Sequence, residues 1–279
     1  KSVYVISSVD SMINFGDKII SINSIPVSDM LNKFYACLSA DGYNKTVKTH
    51  SINKFFFYLY YTYIKCTNQY DIQLIRNDSL INISVNGLKP KEFWDKYSKS
   101  NKENNAPIIY SKIDSGRIGW IKLNTFSSNT YAEYKIDYLD KFKNVFTSLR
   151  KDKTSNLIVD LRDCSGGSIE ISMEFMTYLI SKPFSYVLES SLKKNLPSKI
   201  EPHIKEGSFY DFPGSTRVDD SDIYSSTWSS VFSPKKKRFK GNIYFIADGG
   251  VTSAGGMLLA ILKNQKIGKI IGEETAGSF

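Results

Sequence analysis

The stretch Gly241-Asn-Ile-Tyr-Phe-Ile-Ala-Asp-Gly-Gly-Val-Thr-Ser-Ala-Gly-Gly-Met-Leu-Leu-Ala-Ile-Leu262 decides the fold. Ile243 to Ala247 is an apolar run bounded by turn residues, the pattern of a buried strand. Asp248-Gly249-Gly250 breaks it, and Ala254 to Leu262 has the length and residues of a helix. Ser253 therefore sits where a strand turns into a helix. Backbone N–H groups at a helix start point outward and favour negative charge, so a hydroxyl there can serve as a nucleophile beside an oxyanion site. The alternative is that Thr252 or Ser253 is only an N-cap.

A second stretch, Asn156-Leu-Ile-Val-Asp-Leu-Arg-Asp-Cys-Ser-Gly-Gly167, repeats the design. Leu157 to Leu161 reads as a buried strand, Ser165-Gly166-Gly167 as a turn, and Ile169 to Ile180 as a helix. Paired glycines after a strand let backbone approach a ligand with no Cβ in the way, as an oxyanion hole requires. Ile108 to Tyr110 and Ile118 to Leu123 read as a hairpin across Asp114-Ser115-Gly116. Tyr131 to Leu149 reads as one amphipathic helix carrying Tyr134, Tyr138, Phe142, Val145 and Phe146. Strands alternating with helices imply a layered α/β core.

These segments, in this order, resemble the tail-specific (C-terminal-processing) serine proteases. Leu157 to Gly167 is similar to their LIVDLRxNxGG segment, Thr252-Ser253-Ala254 to their nucleophile motif, Ile271 to Gly277 to their GExTxG segment, and Ile118 to Phe126 to their IGYIxIxxF strand. The resemblance implies a crotonase-like ββα superhelix core. It implies an acyl-enzyme mechanism with Ser253 as nucleophile, backbone N–H groups of Gly166 or Gly167 with Ala254 as the oxyanion hole, and Glu273 or Glu274 as an orienting acid. The substrate would be an extended polypeptide or its C-terminal tail, with no cofactor and no nucleic-acid partner.

Part of the family pattern is missing. The branch that uses a lysine base carries it where Ser278 stands, and has a glutamate where Gly256 stands. Lys263, Lys266 and Lys269 lie on exposed positions of the pattern. The chain instead resembles the histidine-dependent branch of the tricorn core protease type. There the histidine lies upstream of a PDZ-like segment, so the base is expected before residue 1, and the core is expected to be incomplete at its C-terminus. His50 and His203 read as surface or packing residues. A catalytically inactive peptide-binding relative and an acyl-thioester enzyme on the same fold remain alternatives.

Upstream, Phe15-Gly-Asp-Lys-Ile-Ile-Ser-Ile-Asn-Ser-Ile-Pro-Val27 resembles the GDxILxINGxPV pattern of PDZ domains. Ile19 and Ile22 are expected to turn inward, followed by a helix from Ser28 to Ser39 with Ser28 or Asp29 near its cap. Tyr70 to Ile75 and Leu80 to Val85 read as a hairpin around Asn77-Asp78. Ala40 to Gln69 is an insert whose aromatic run, Phe55 to Ile64, is too short to span a bilayer. The expected units are a PDZ-like domain with a helical insert at 1–89, a linker at 90–107, and a protease core at 108–279 with an insertion at 181–240. Tyr210, Phe212 and Trp228 in that insertion are candidates for lining a substrate groove.

With 279 residues, 41% hydrophobic and 14% aromatic, the chain can build real cores and is not a disordered type. Its net charge of +9 is scattered, and the one dense run, Lys235 to Arg238, reads as a solvated loop and not a nucleic-acid patch. Cys37, Cys66 and Cys164 make no disulfide framework or metal-ligand pattern, so no metal is expected, and Cys164 reads as a small buried residue. Richness in Lys, Asn, Ile and Tyr points to a low-GC bacterial source and, through the resemblance, to the cell envelope.

Overall fold

The computed structural model describes residues 2–6, 8, 10–89, 91–92, 95, 105–185, 190–193, 215–217, 223–226 and 231–277. Most of the expected linker, and His203, Tyr210, Phe212, Trp228 and Ser278, lie outside the described residues.

The N-terminal unit is an antiparallel sheet of β1 (Val3–Tyr4), β2 (Lys18–Ile22), β3 (Ile25–Pro26), β4 (Gln69–Arg76) and β5 (Ser79–Asn86). A register shift between Ile19 and Ser21 makes Ile20 a bulge residue. Residues three apart on a strand normally face opposite sides; the bulge lets Ile19 and Ile22 both reach the core. Asn77 and Asp78, both at positive φ, close the β4–β5 hairpin as expected. Helix α1 (Val27–Cys37) buries Val27, Met30, Leu31 and Phe34, and Pro26, not Ser28 or Asp29, holds its cap position. The insert forms α2 (Thr46–Tyr63), which loses helical geometry at Phe55 (φ −124°). Beyond that kink Leu59 and Tyr60 join the N-terminal core, and Phe56 meets Phe34 edge-on at 5.5 Å.

The second unit holds β6 (Ile108–Ile113), β7 (Ile118–Leu123), α3 (Ser128–Glu133), α4 (Tyr138–Lys151), β8 (Asn156–Asp160) and α5 (Ile169–Thr177). The described parts of the insertion are β9 (Phe184–Ser185) paired with β13 (Val231–Phe232), and a small sheet of β10 (Ser190–Lys193), β11 (Ser215–Arg217) and β12 (Ile223–Ser226). The chain closes with β14 (Asn242–Ala247), α6 (Ala254–Asn264) and β15 (Lys269–Gly272). The main sheet has the order β15-β14-β8-β7-β6, parallel except for the β6–β7 hairpin. Strand order follows chain order without reversal. Right-handed crossovers therefore bring the connecting helices to one face. Leu157, Val159 and Phe245 from the strands are fully buried with Phe142, Phe175 and Leu258 from the helices.

Two further expectations change. The single helix from Tyr131 to Leu149 is two, because Lys135 turns left-handed (φ 52°). Ile136 N then bonds Tyr131 O, and Asp137 caps α4 through Asp140 N. The apolar period survives the break because Tyr131, Tyr138 and Phe142 still meet edge to face. The basic run is also not simply solvated, since Lys235 pairs with Glu174 at 2.8 Å and lies over the Tyr178 ring. No described helix is long and apolar enough to cross a membrane.

Candidate active site

Parallel strands deliver their loops to one edge, and in open α/β sheets that carboxyl edge is where ligands bind. Three turns meet there and are laced to one another. Phe126 N, past β7, bonds Gly166 O at 2.7 Å, and Ser168 N bonds Phe126 O at 2.9 Å. Thr252 N, past β14, bonds Cys164 O at 3.0 Å. Thr125 Oγ1 donates to Gly166 O at 2.9 Å and accepts from Ser165 Oγ. Beneath them Asp160, almost fully buried, is held by Arg162 at two points and by Lys122. Burial pushes the Asp160 carboxyl up, but the Arg162 hydrogen bonds outweigh it and keep the group ionised below its ordinary range.

Ser253 occupies the cap position of α6 at φ 50°, ψ −128°, and its side chain makes no cap hydrogen bond. A non-glycine residue in that region is strained, and strain of this kind is characteristic of a serine presented on a tight strand-to-helix turn. The N-cap alternative for Ser253 therefore fails; the side chain is exposed. Thr252 O accepts from Gly255 N and Gly256 N. Among the described residues Ala254 N has no acceptor, so it remains an unpaired donor next to Ser253 and beside Gly166.

The two glycines divide the work. Gly166 (φ 75°) lies against the serine: a Cβ there would stand 2.7 Å from Ser253 Cβ and 2.9 Å from Ala254 N. Gly167 lies against β7's end, where a Cβ would stand 2.4 Å from the Phe126 carbonyl carbon. Cys164 is buried below, and burial pushes its thiol up to about 11, which keeps it neutral. Its reading as a small buried residue stands.

His50 is where sequence reasoning missed. It is neither a surface nor a packing residue. The first half of α2 lies across the Asp248-Gly249-Gly250 turn, with His50 Nε2 3.0 Å from Asp163 Oδ1 and Nδ1 3.6 Å from Asp248 Oδ2. Lys54, one turn along the same helix, reaches the same Asp163 oxygen at 2.7 Å. Gly249 and Gly250 permit the approach, since a Cβ on Gly250 would stand 2.5 Å from the imidazole and one on Gly249 2.5 Å from Thr46 O. The hydrogen bond to Asp163 raises the His50 pKa; burial opposes it and the two carboxylate charges add to it. The His50 bond, then that of Lys54, holds Asp163 well below the usual carboxylate range.

Glu273 and Glu274 end β15 exposed, and their carboxylates form no ion pair among the described residues. What docks there is backbone: Thr46 Oγ1 donates to Glu274 O and Asn44 Nδ2 to Thr275 O. Lys263, Lys266 and Lys269 are exposed. His50, Asp163 and Asp248 place possible ligand atoms within 4.8 Å of one another, and Lys54 already pairs with Asp163 there. The sequence signal for this cluster was the pair Gly249-Gly250, which announces a close approach without saying by what.

The profile of peptidase family S41 matches residues 117–279, more than half of the chain. Among solved structures, mature CPAF complexed with lactacystin matches 100% of this chain and 68% of its own at 13% identity and TM-score 0.66. A CPAF point mutant matches 99% and 67% at 12% identity and TM-score 0.68. The photosystem II D1 C-terminal processing protease matches 99% and 57% at 15% identity and TM-score 0.38. No curated protein matches.

Proposed function

The chain belongs to peptidase family S41, and from that premise we propose that it hydrolyses peptide bonds through an acyl-enzyme on Ser253. Ser253 Oγ attacks the scissile carbonyl, the C–N bond breaks as the amine leaves protonated, and water releases the acyl group. Ala254 N–H, with that of Gly166 or Gly167, receives the developing oxyanion. The observation that carries this reading is the strained, uncapped Ser253 facing Gly166 across a gap too small for a Cβ. The substrate is an extended polypeptide or its C-terminal tail, taken up at the cell envelope. We take the core to be of the crotonase-like ββα type, the N-terminal unit to be PDZ-like, and the units to run 1–89, 90–107 and 108–279.

Among the described residues no side chain hydrogen-bonds Ser253 Oγ. That observation, with Gly256 and Ser278 at positions where one branch carries Glu and Lys, favours a second reading as a peptide-binding relative without turnover. Fluorophosphonate labelling of the full-length protein, read by mass spectrometry with Ser253→Ala as control, separates the two. An adduct on Ser253 supports the peptidase; a folded protein without one supports the binding relative. Lactacystin, which CPAF binds in its structure, is a second probe of the same hydroxyl.

A further inference from the structure

Resting on the peptidase reading, we propose that His50 is a positioning residue: its charged ring, with Lys54, forms a clip that fastens the Gly166 turn and the Ser253 turn to α2 in mutual register. One side chain touches one carboxylate from each turn. Asp163 precedes Gly166 by three residues, and Asp248 precedes Ser253 by five. Asp248 already ties the turns at the backbone, because its Oδ1 accepts from both Asp163 N at 3.0 Å and Gly250 N at 2.9 Å. Its second oxygen is left for His50. The clip is thus the outer member of a network whose inner member is main chain.

The charges close on themselves. Asp163 and Asp248 face His50 from the two turns, and Lys54 faces Asp163 from α2 itself. Arg162, engaged with Asp160, adds a more distant positive charge near both carboxylates. With each ring nitrogen turned to a carboxylate, the imidazole has no lone pair to offer Ser253. It acts in its charged form, and the Asp163 hydrogen bond keeps it charged at pH values where a free histidine has lost its proton. The helix carrying it is tied at its start, by Asn44 and Thr46, to Thr275 O and Glu274 O, buries Ile52 in the N-terminal core, and bends at Phe55.

A positioning imidazolium and a general base have opposite pH signatures. If the clip is right, Ser253 function declines as His50 loses its proton; if His50 is the proton acceptor, function rises there. The test follows the rate of fluorophosphonate labelling of full-length protein against pH, beside an NMR titration of the His50 ring assigned by its loss in His50→Gln. We expect a His50 midpoint above about 6.5 and a fall in labelling that tracks it. Asp248→Asn is expected to lower the midpoint and move the fall with it. His50→Gln is expected to abolish the fall and slow labelling at low pH by roughly 10–100-fold, the scale of a displaced reacting group. Lys54→Met, an exposed change that spares the fold, should weaken the clip in the same direction. Labelling that climbs through the His50 titration, or a midpoint at or below the ordinary value, overturns the proposal. Should wild type take no label at all, the peptidase reading falls by itself. Amide exchange then decides the clip: protection at 163–166 and 250–254 is expected to fall together above the midpoint, and unchanged exchange refutes it.

Discussion

The two units that meet at the site are built on different terms. In the C-terminal unit the strands under Ser253 bury one face fully against the helices, and Phe142, Phe146, Phe175 and Tyr178 lock those helices ring against ring. In the N-terminal unit the core is smaller, and α2 leaves Phe55, Phe57, Tyr58 and Tyr61 substantially exposed. Ser253 stands on the well-packed side; the cations that face its turns, His50 and Lys54, come from the sparsely packed side. In the proposed peptidase the contrast would keep chemistry and its adjustment apart: a well-packed scaffold holds the strained turn, and a less densely packed unit faces it.

The largest effect that bears on this contrast is Ser253→Ala, which is expected to reduce labelling and hydrolysis to background while leaving thermal unfolding unchanged. Label that persists would place the nucleophile elsewhere. Next come matched core truncations. Phe142→Ala and Phe34→Ala should each cost about 3–5 kcal/mol by the cavity they leave. The first is expected to unfold the site outright; the second should loosen α2 and slow labelling while the main sheet keeps its amide-exchange protection. Equal loss of protection in both would show that the two cores are one cooperative unit. Gly250→Ala places a Cβ 2.5 Å from the His50 ring, so a slowing of labelling by about 10-fold or more is expected. A wild-type rate would mean that the helix gives way freely.

The smallest effect is on stability against pH. The folded-state pKa of His50 is raised, so its contribution is complete below about 6.5, the unfolded value, and is lost as pH rises through the folded pKa. Thermal melts of wild type and His50→Gln should therefore differ most on the acid side of that window and converge above it. A difference that grows toward alkaline pH would reverse the assignment.

Much of the C-terminal unit was legible because its signals are local. Buried parallel strands read as short apolar runs, and both Leu157–Leu161 and Ile243–Ala247 fall on strands of the main sheet. Glycine pairs at their ends marked where backbone must come close. The break at Lys135 was not legible, since the apolar period runs straight through it and only a left-handed residue interrupts the hydrogen bonds. Nor was the placement of His50, whose neighbours in sequence are Thr49 and Ser51 and whose partners lie at Asp163 and Asp248.

What the sequence determined by itself was the α/β alternation, the two glycine-marked turns, and Ser253 at a strand-to-helix junction, because each depends on residues within one turn of chain. What only the tertiary structure decided was which glycine meets the serine, that the serine does not cap its helix, and that a histidine on the inserted helix joins one carboxylate from each turn. The first and last of these are contacts between segments roughly ninety to two hundred residues apart. Side-chain type constrains such contacts only weakly, and the order of the strands in the sheet settles them.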